Sequence, residues 1–217
     1  MRYRADGYII RSENAARPSN QGSRYLIDLL RDLAPMSRAL DYGCGKLRYA
    51  THLEQLTREL TLVDSEIQLS RTQVVCGETT TIRAYVMAKW PDVRVINHID
   101  FRDDHARYDF ILCANVLSAI PHTRVRMAIV KLLAARLTSR GRCLLVCQYT
   151  NSYFRAQLCD SSVKKLADGF IKGSPENASF FGVINPGILK RIAENARMVV
   201  EQSWQHGQSS YVIGKRN

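Results

Sequence analysis

Short apolar runs alternate with amphipathic stretches along most of this chain, and that alternation predicts its elements. Between Gln21 and Leu33, apolar positions recur at Tyr25, Leu26, Leu29, Leu30 and Leu33, which is helical spacing. Ser19 or Asn20 is placed to cap this helix and Pro35 to end it. Residues 39–42 read as a short buried strand that runs into a Gly43-Cys44-Gly45 turn. Leu47, Ala50, Leu53 and Leu56 predict a helix over 47–56, and 59–64 a second strand that ends on Asp64. A helix is expected over 67–75, broken at Cys76-Gly77, with Thr79 or Thr80 capping another through Lys89. Residues 93–97 form the third predicted strand. Tyr108–Ala114 forms the fourth, almost continuously apolar as a strand buried on both faces should be. A long helix over 122–137 is closed by Gly141, and 142–147 is the fifth strand. A helix over Pro186–Asn195 precedes two closing strands, 197–204 and 209–215, turned at His206-Gly207. Residues 1–20 read as polar and irregular, and 149–185 as a polar stretch dotted with aromatics.

Five strand-then-helix units in succession argue for an α/β fold with a parallel sheet and right-handed crossovers. The closing hairpin must then put one antiparallel strand into that sheet. At 217 residues, one domain spanning 1–217 is the expectation, with enough length to bury a core unaided. No apolar run reaches the length of a membrane span, and the first residues lack the apolar core of a secretory signal.

Composition changes this picture in one respect. Hydrophobic (46%) and charged (24%) fractions are ordinary for a globular chain, but the net charge is +11. Such a balance is compatible with a nucleic-acid partner, although the cations are spread along the chain rather than clustered. Cys44, Cys76, Cys113, Cys143, Cys147 and Cys159 are scattered through mostly apolar runs, with no C-x-x-C pair and no zinc spacing. They read as reduced thiols of a cytoplasmic protein, and no metal site is expected.

The candidate chemistry lies at strand ends. Asp41, Asp64 and Asp100 each stand at or just beyond the carboxyl end of a predicted strand, the edge where open α/β sheets bind ligands. Asp64 lies about 20 residues beyond Gly45, the separation at which a carboxylate takes ribose hydroxyls. The glycine pattern narrows the ligand. Arg48 stands where a dinucleotide fingerprint needs its third glycine, and Asp41 would repel a phosphate. A nucleoside ligand that carries a cation or an amine fits better than NAD.

Leu40-Asp-Tyr-Gly-Cys-Gly, Leu62-Val-Asp64, Asp100, the stretch from Tyr108 through Asn115 to Pro121 and Gly141-Arg-Cys-Leu-Leu-Val together resemble the class I S-adenosylmethionine-dependent methyltransferases. The likeness runs from about Gln21 to the closing hairpin. It implies a three-layer, Rossmann-like fold: a seven-stranded, mostly parallel sheet with an antiparallel last strand and helices on both faces. It also implies S-adenosyl-L-methionine as cofactor. In that family Asp41, Gly43, Cys44 and Gly45 would line the methionine end, Asp64 would hold the ribose with Ser65 and Glu66 beside it, and Asp100 would meet the adenine amino group. Phe101 would lie against the adenine ring, and Asn115, walled by Val116 and Leu117, would stand near the methyl group. Leu47 stands where the family usually has a third glycine.

Nothing in the sequence assigns a catalytic residue; His122 is a candidate base, read instead as a helix N-terminal residue. After the fourth strand, Asn115-Val-Leu-Ser differs from the motif of base-amino methyltransferases, an Asp, Asn or Ser followed by Pro-Pro and an aromatic. The first reading is therefore a small-molecule acceptor. The alternatives are an RNA acceptor, held by the aromatic and basic stretch 149–185, and a cofactor-binding module without catalysis. Residues 1–24 would cover the site, and 149–185 would form a substrate-side insertion.

Overall fold

The computed structural model describes residues 2–217. In chain order it contains β1 (Arg2–Ala5), β2 (Tyr8–Arg11), α1 (Arg24–Arg31), β3 (Met36–Tyr42), α2 (Ala50–Glu54), β4 (Thr57–Asp64) and α3 (Glu66–Ser70). Then come β5 (Gln73–Val75), β6 (Glu78–Thr80), α4 (Ile82–Lys89), β7 (Arg94–Asn97), α5 (Asp100–Asp103), β8 (Tyr108–Ala114) and α6 (Thr123–Ala135). The chain closes with β9 (Leu137–Gln148), α7 (Ser152–Cys159), β10 (Lys164–Leu166), β11 (Gly169–Ser174), β12 (Asn177–Gly182), α8 (Pro186–Asn195), β13 (Met198–His206) and β14 (Ser209–Arg216).

The main sheet has seven strands in the order β13-β14-β9-β8-β3-β4-β7. Strand β3 runs parallel to β4 and to β8, and β4 parallel to β7, while β14 is antiparallel to both β13 and β9. This is the Rossmann-like α/β architecture, with helices around a mostly parallel sheet. Contacts divide the chain into two compact units, one from Ala16 to Leu112 with Arg136–Gly141, the other comprising the chain to Ala15, Cys113–Ala135 and Arg142–Asn217. The division falls within strands β8 and β9.

In the first unit, Ala39, Leu40, Leu62, Val63, Ile111 and Leu112 are fully buried in the middle of the sheet. Each large side chain so buried is worth about 1.5–3 kcal/mol. Gly141 lies within β9 rather than past a helix end. A Cβ there would come within 2.6 Å of the Tyr108 carbonyl, so close approach of strands excludes any side chain. Helix α1 starts later than its periodicity predicts, because Ser23, and not Ser19 or Asn20, accepts the Leu26 N–H. Helix α2 is shorter than 47–56, since residues 46–49 turn instead. The helix expected over 67–75 stops at Ser70, and β5 and β6 form a hairpin about Cys76-Gly77. Thr81 caps α4.

The second unit corrects the irregular reading of 1–20 and gives 149–185 a helix and three strands. Asp6 and Gly7, with φ of 52° and 84°, make a two-residue turn between β1 and β2. Strand β2 pairs in parallel with β12, giving a five-stranded sheet in the order β1-β2-β12-β11-β10. The expected cover and the expected insertion thus share one sheet. Its inner face buries Ala5, Ile10, Ile171, Ala178 and Phe180.

Candidate functional site

Strands β3 and β4 lie in register from Ala39 opposite Leu60 to Tyr42 opposite Val63, so their carboxyl ends open at the same level. Past that edge, Gly43 and Cys44 donate their N–H groups to the Val63 carbonyl at 2.7 and 3.1 Å. Gly43 and Gly45 hold φ of 80° and 57°, the left-handed region that glycine enters without strain. The turn therefore folds back across the end of β4. There Asp64 accepts the Gly45 N–H at 2.9 Å on one oxygen and the Ser65 N–H at 2.7 Å on the other.

Three further contacts hold this arrangement. Ser65 caps α3 by accepting the Gln68 N–H. Fully buried Gln68 donates from Nε2 to the Gly45 carbonyl at 2.8 Å. Leu47 takes φ of 63°, is fully buried, and donates its N–H to the Cys44 carbonyl at 2.9 Å. The position where the related family has glycine thus keeps a glycine-like backbone with a leucine that fills the core. Gln68 carried no sequence signal; its role depends on α3 being short.

The electrostatics are those of a site for a positive charge. Asp41 is 2% exposed, and burial, helped by the nearby Asp64 carboxylate, raises its pKa to about 7, against a small pull from Arg48. Removal from water also raises Asp64, against the pull of its two N–H donors. Burial, then the Asp64 and Asp41 charges, push the Cys44 thiol well up, so it is an inert lining group.

At the adjacent strand end, Asn97 lies in register with Asp64. Its Oδ1 accepts the N–H groups of Ile99 and Asp100 at 2.9 and 3.0 Å, and its Nδ2 donates to Asp100 Oδ2 at 2.8 Å. Asp100 is exposed on this turn. Phe101 is not: its ring is fully buried, 5.7 Å from that of Tyr42 and 6.4 Å from that of Tyr108. It fills the core between those two rings.

The remaining candidates lie in the second unit. Asn115, just past β8, takes φ of 61°, donates its N–H to the Val146 carbonyl at 2.8 Å and accepts the Ser118 hydroxyl at 3.2 Å. His122 precedes α6, and its Nε2 donates to the Arg4 carbonyl at 2.8 Å, as a structural residue would. Arg126, fully buried, donates to the Ile120 carbonyl at 2.7 Å and pairs with Asp168. The aromatics of 149–185 are mostly packing: Phe154 and Phe170 are buried with Phe181 against them, and Phe180 joins the other core. Tyr153 is the exception, at 44% exposure. No disulfide joins the cysteines; Cys44, Cys113, Cys143 and Cys147 are buried, whereas Cys159 is exposed and Cys76 half-buried. No helix among the described residues is long and apolar enough to cross a membrane.

Residues 16–203 match the family model described as a methyltransferase domain. The chain is 36% identical, over all of its length and 97% of the relative, to the protein named "Uncharacterized protein YmfD" of Escherichia coli K12. Among solved structures, PH0226 from Pyrococcus horikoshii superposes with a TM-score of 0.65 at 13% identity, covering 92% of this chain and 94% of that one. An S-adenosylmethionine-dependent methyltransferase from Clostridium acetobutylicum gives 0.63 at 10% identity, with 94% of each chain covered. The DhpI–SAH complex gives 0.61 at 14% identity, with 88% and 82% covered.

Proposed function

We propose that this chain, which belongs to the methyltransferase-domain family, moves the methyl group of S-adenosyl-L-methionine to an acceptor nucleophile. One observation carries the cofactor assignment: the Asp64 carboxylate ties the Gly43–Gly45 turn to the start of α3, next to a buried second carboxylate, Asp41. A nucleoside bearing a positive charge suits that pair; a pyrophosphate does not. When bound, the cofactor supplies an electrophilic methyl group on a positively charged sulfur.

The roles of the chain's residues follow. Asp64 accepts from the ribose hydroxyls with the lone pairs its two N–H donors leave open, since a carboxylate has about four. Ser65 stands beside the ribose. Gly43, Cys44 and Gly45 present backbone to the methionine end, and Asp41 balances its charge. Asp100, held by Asn97, takes the adenine amino group. Phe101, buried beside Asp100, backs the adenine end. Asn115 orients the methyl-bearing end. With the methyl group supplied by the bound cofactor, the chain's own part would be to position the acceptor in line with it, so positioning would dominate catalysis. His122 already spends Nε2 on the Arg4 carbonyl and is not assigned as base.

For the acceptor, a small molecule is the first reading, supported by Asn115-Val-Leu-Ser in place of a base-amino motif. An RNA acceptor is the second, favoured by a row of cations described below. A module without catalysis had Leu47 as its support, and that support falls away because Leu47 preserves the turn. Buried cysteines outside any disulfide support a cytoplasmic placement. Calorimetry with S-adenosylhomocysteine tests the cofactor assignment: one-site binding is expected, and no binding of it or of S-adenosylmethionine overturns the reading.

A further inference from the structure

We infer that the outer face of the five-stranded sheet is a binding surface for the backbone of a single-stranded nucleic acid. The inference does not depend on methyl transfer. Side chains alternate across a strand, so with Tyr3, Ala5, Tyr8, Ile10, Ile171, Ala178 and Phe180 on the inner core, Arg2, Arg4, Arg11, Lys172 and Ser179 lie on the opposite face, together with Ile9, Phe170 and Phe181. The register aligns them. Arg2 stands directly opposite Arg11, and Lys172 opposite Ser179, while the parallel pairing of Ile10 with Ala178 sets Arg11 beside Ser179. Arg2, Arg11, Ser179 and Lys172 therefore make one row across four strands, about 14 Å long at the usual strand spacing. Arg4 lies two residues from Arg2 on the same face, and Lys165 extends the charge onto β10.

Two cations directly opposite one another weaken a sheet, so Arg2 opposite Arg11 is a fold-level cost that a bound anion would relieve. Direct ion pairing compensates only Arg2 in this set. Arg2 meets the buried Glu13 at 3.4 Å; among the described residues no carboxylate lies within ion-pair distance of Arg4, Arg11, Lys165 or Lys172. Arg11 Nε is buried without an acceptor. Lys172 donates to the neutral Tyr153 hydroxyl at 3.0 Å and Gln157 Oε1 at 2.9 Å, and lies 5.2 Å from the centre of the Tyr153 ring. The half-exposed Tyr153 gives the end of the row a surface on which a base can stack. Asp160, at the end of α7, accepts from Ser162 and also feels the charges of Lys172 and Lys165 at longer range, which together hold its carboxyl below the usual range. Phe170 and Phe181 share this face but are covered by Phe154 of α7, so the row runs along the uncovered part of the face beside that helix. Its length exceeds what one phosphate bridges, and an exposed row with one aromatic edge suits a flexible strand better than an enclosed metabolite.

Fluorescence anisotropy with a labelled 20-nucleotide single-stranded RNA tests this. The triple variant R4Q/K165Q/K172Q removes three exposed charges from the face, and R58Q/R140Q/R216Q removes three exposed charges elsewhere. Binding of the native chain that weakens with salt is expected. The face variant should lose about tenfold or more in affinity, with a salt slope shallower by about 2, while the control variant stays within about threefold. Equal losses in both variants, salt-insensitive binding, or no binding overturns the inference, as does capture of phosphatidylserine vesicles without capture of RNA. Both variants should bind S-adenosylhomocysteine as the native chain does, which keeps failure of this inference distinct from failure of the cofactor assignment.

Discussion

Gly45 donates its backbone N–H to Asp64 at 2.9 Å, across 19 residues of sequence. That bond closes the glycine turn over the end of β4, while the other carboxylate oxygen accepts the Ser65 N–H. Asp64→Ala removes both the turn's anchor and the proposed ribose acceptor. Its affinity for S-adenosylhomocysteine should fall roughly 10- to 100-fold, the scale of one or two charge-assisted hydrogen bonds. Calorimetry beside far-ultraviolet circular dichroism checks this; unchanged affinity in a folded variant counts against Asp64 as a cofactor contact.

Asp41 predicts a dependence on pH. Its pKa is about 7 in the folded chain against an ordinary 3.8, so the folded state holds the proton more tightly than the unfolded state. The group therefore lowers stability progressively as pH rises from about 4 to 7, and Asp41→Asn should flatten that part of the profile. A cationic cofactor favours the ionised form. Binding should release a proton near pH 6 and almost none near pH 8, with affinity rising up to about pH 7 and then levelling. Calorimetry in two buffers of different ionisation enthalpy reads the proton count; equal release at both pH values would refute the role.

Leu47 combines a buried side chain with a left-handed backbone, and the two effects can be separated. Leu47→Ala should destabilise by about 2–5 kcal/mol, as large-to-small core changes do. Leu47→Gly loses the same side chain but relieves about 1 kcal/mol of backbone strain, so it should be the more stable of the two. Urea unfolding of both variants decides this, with the usual order, alanine above glycine, as the contrary result.

Arg126 and Asp168 form an unequal pair, with side chains 0% and 22% exposed. Asp168→Ala strands a buried guanidinium and should cost about 3–5 kcal/mol. Arg126→Met leaves only a part-exposed carboxylate and should cost less. Thermal unfolding of the two variants checks the order, and equal losses would show that the pair's worth lies in packing.

Much of this molecule was legible as sequence. Tyr108–Ala114 and Pro186–Asn195 have the boundaries their patterns predict, because a strand buried on both faces and a helix with Asn185 at its cap carry their own local signals. The acids at strand ends were equally visible, since one βα unit and its turn are contiguous. What had no local signature was set by partners far along the chain. Strand β2 pairs locally with β1, but its place in a five-stranded sheet depends on Ile10 meeting Ala178, and no short window contains both. The Asp6-Gly7 turn was present in the sequence, but a single hairpin is marginal without further strands to pair with. Phe101 reads as a ligand contact beside Asp100, and only packing places its ring between those of Tyr42 and Tyr108. Leu47 reads as a departure, and only the core that buries its side chain holds its backbone where glycine would have gone. Periodicity reports which face of an element a residue shares; what covers that face is decided when distant segments meet.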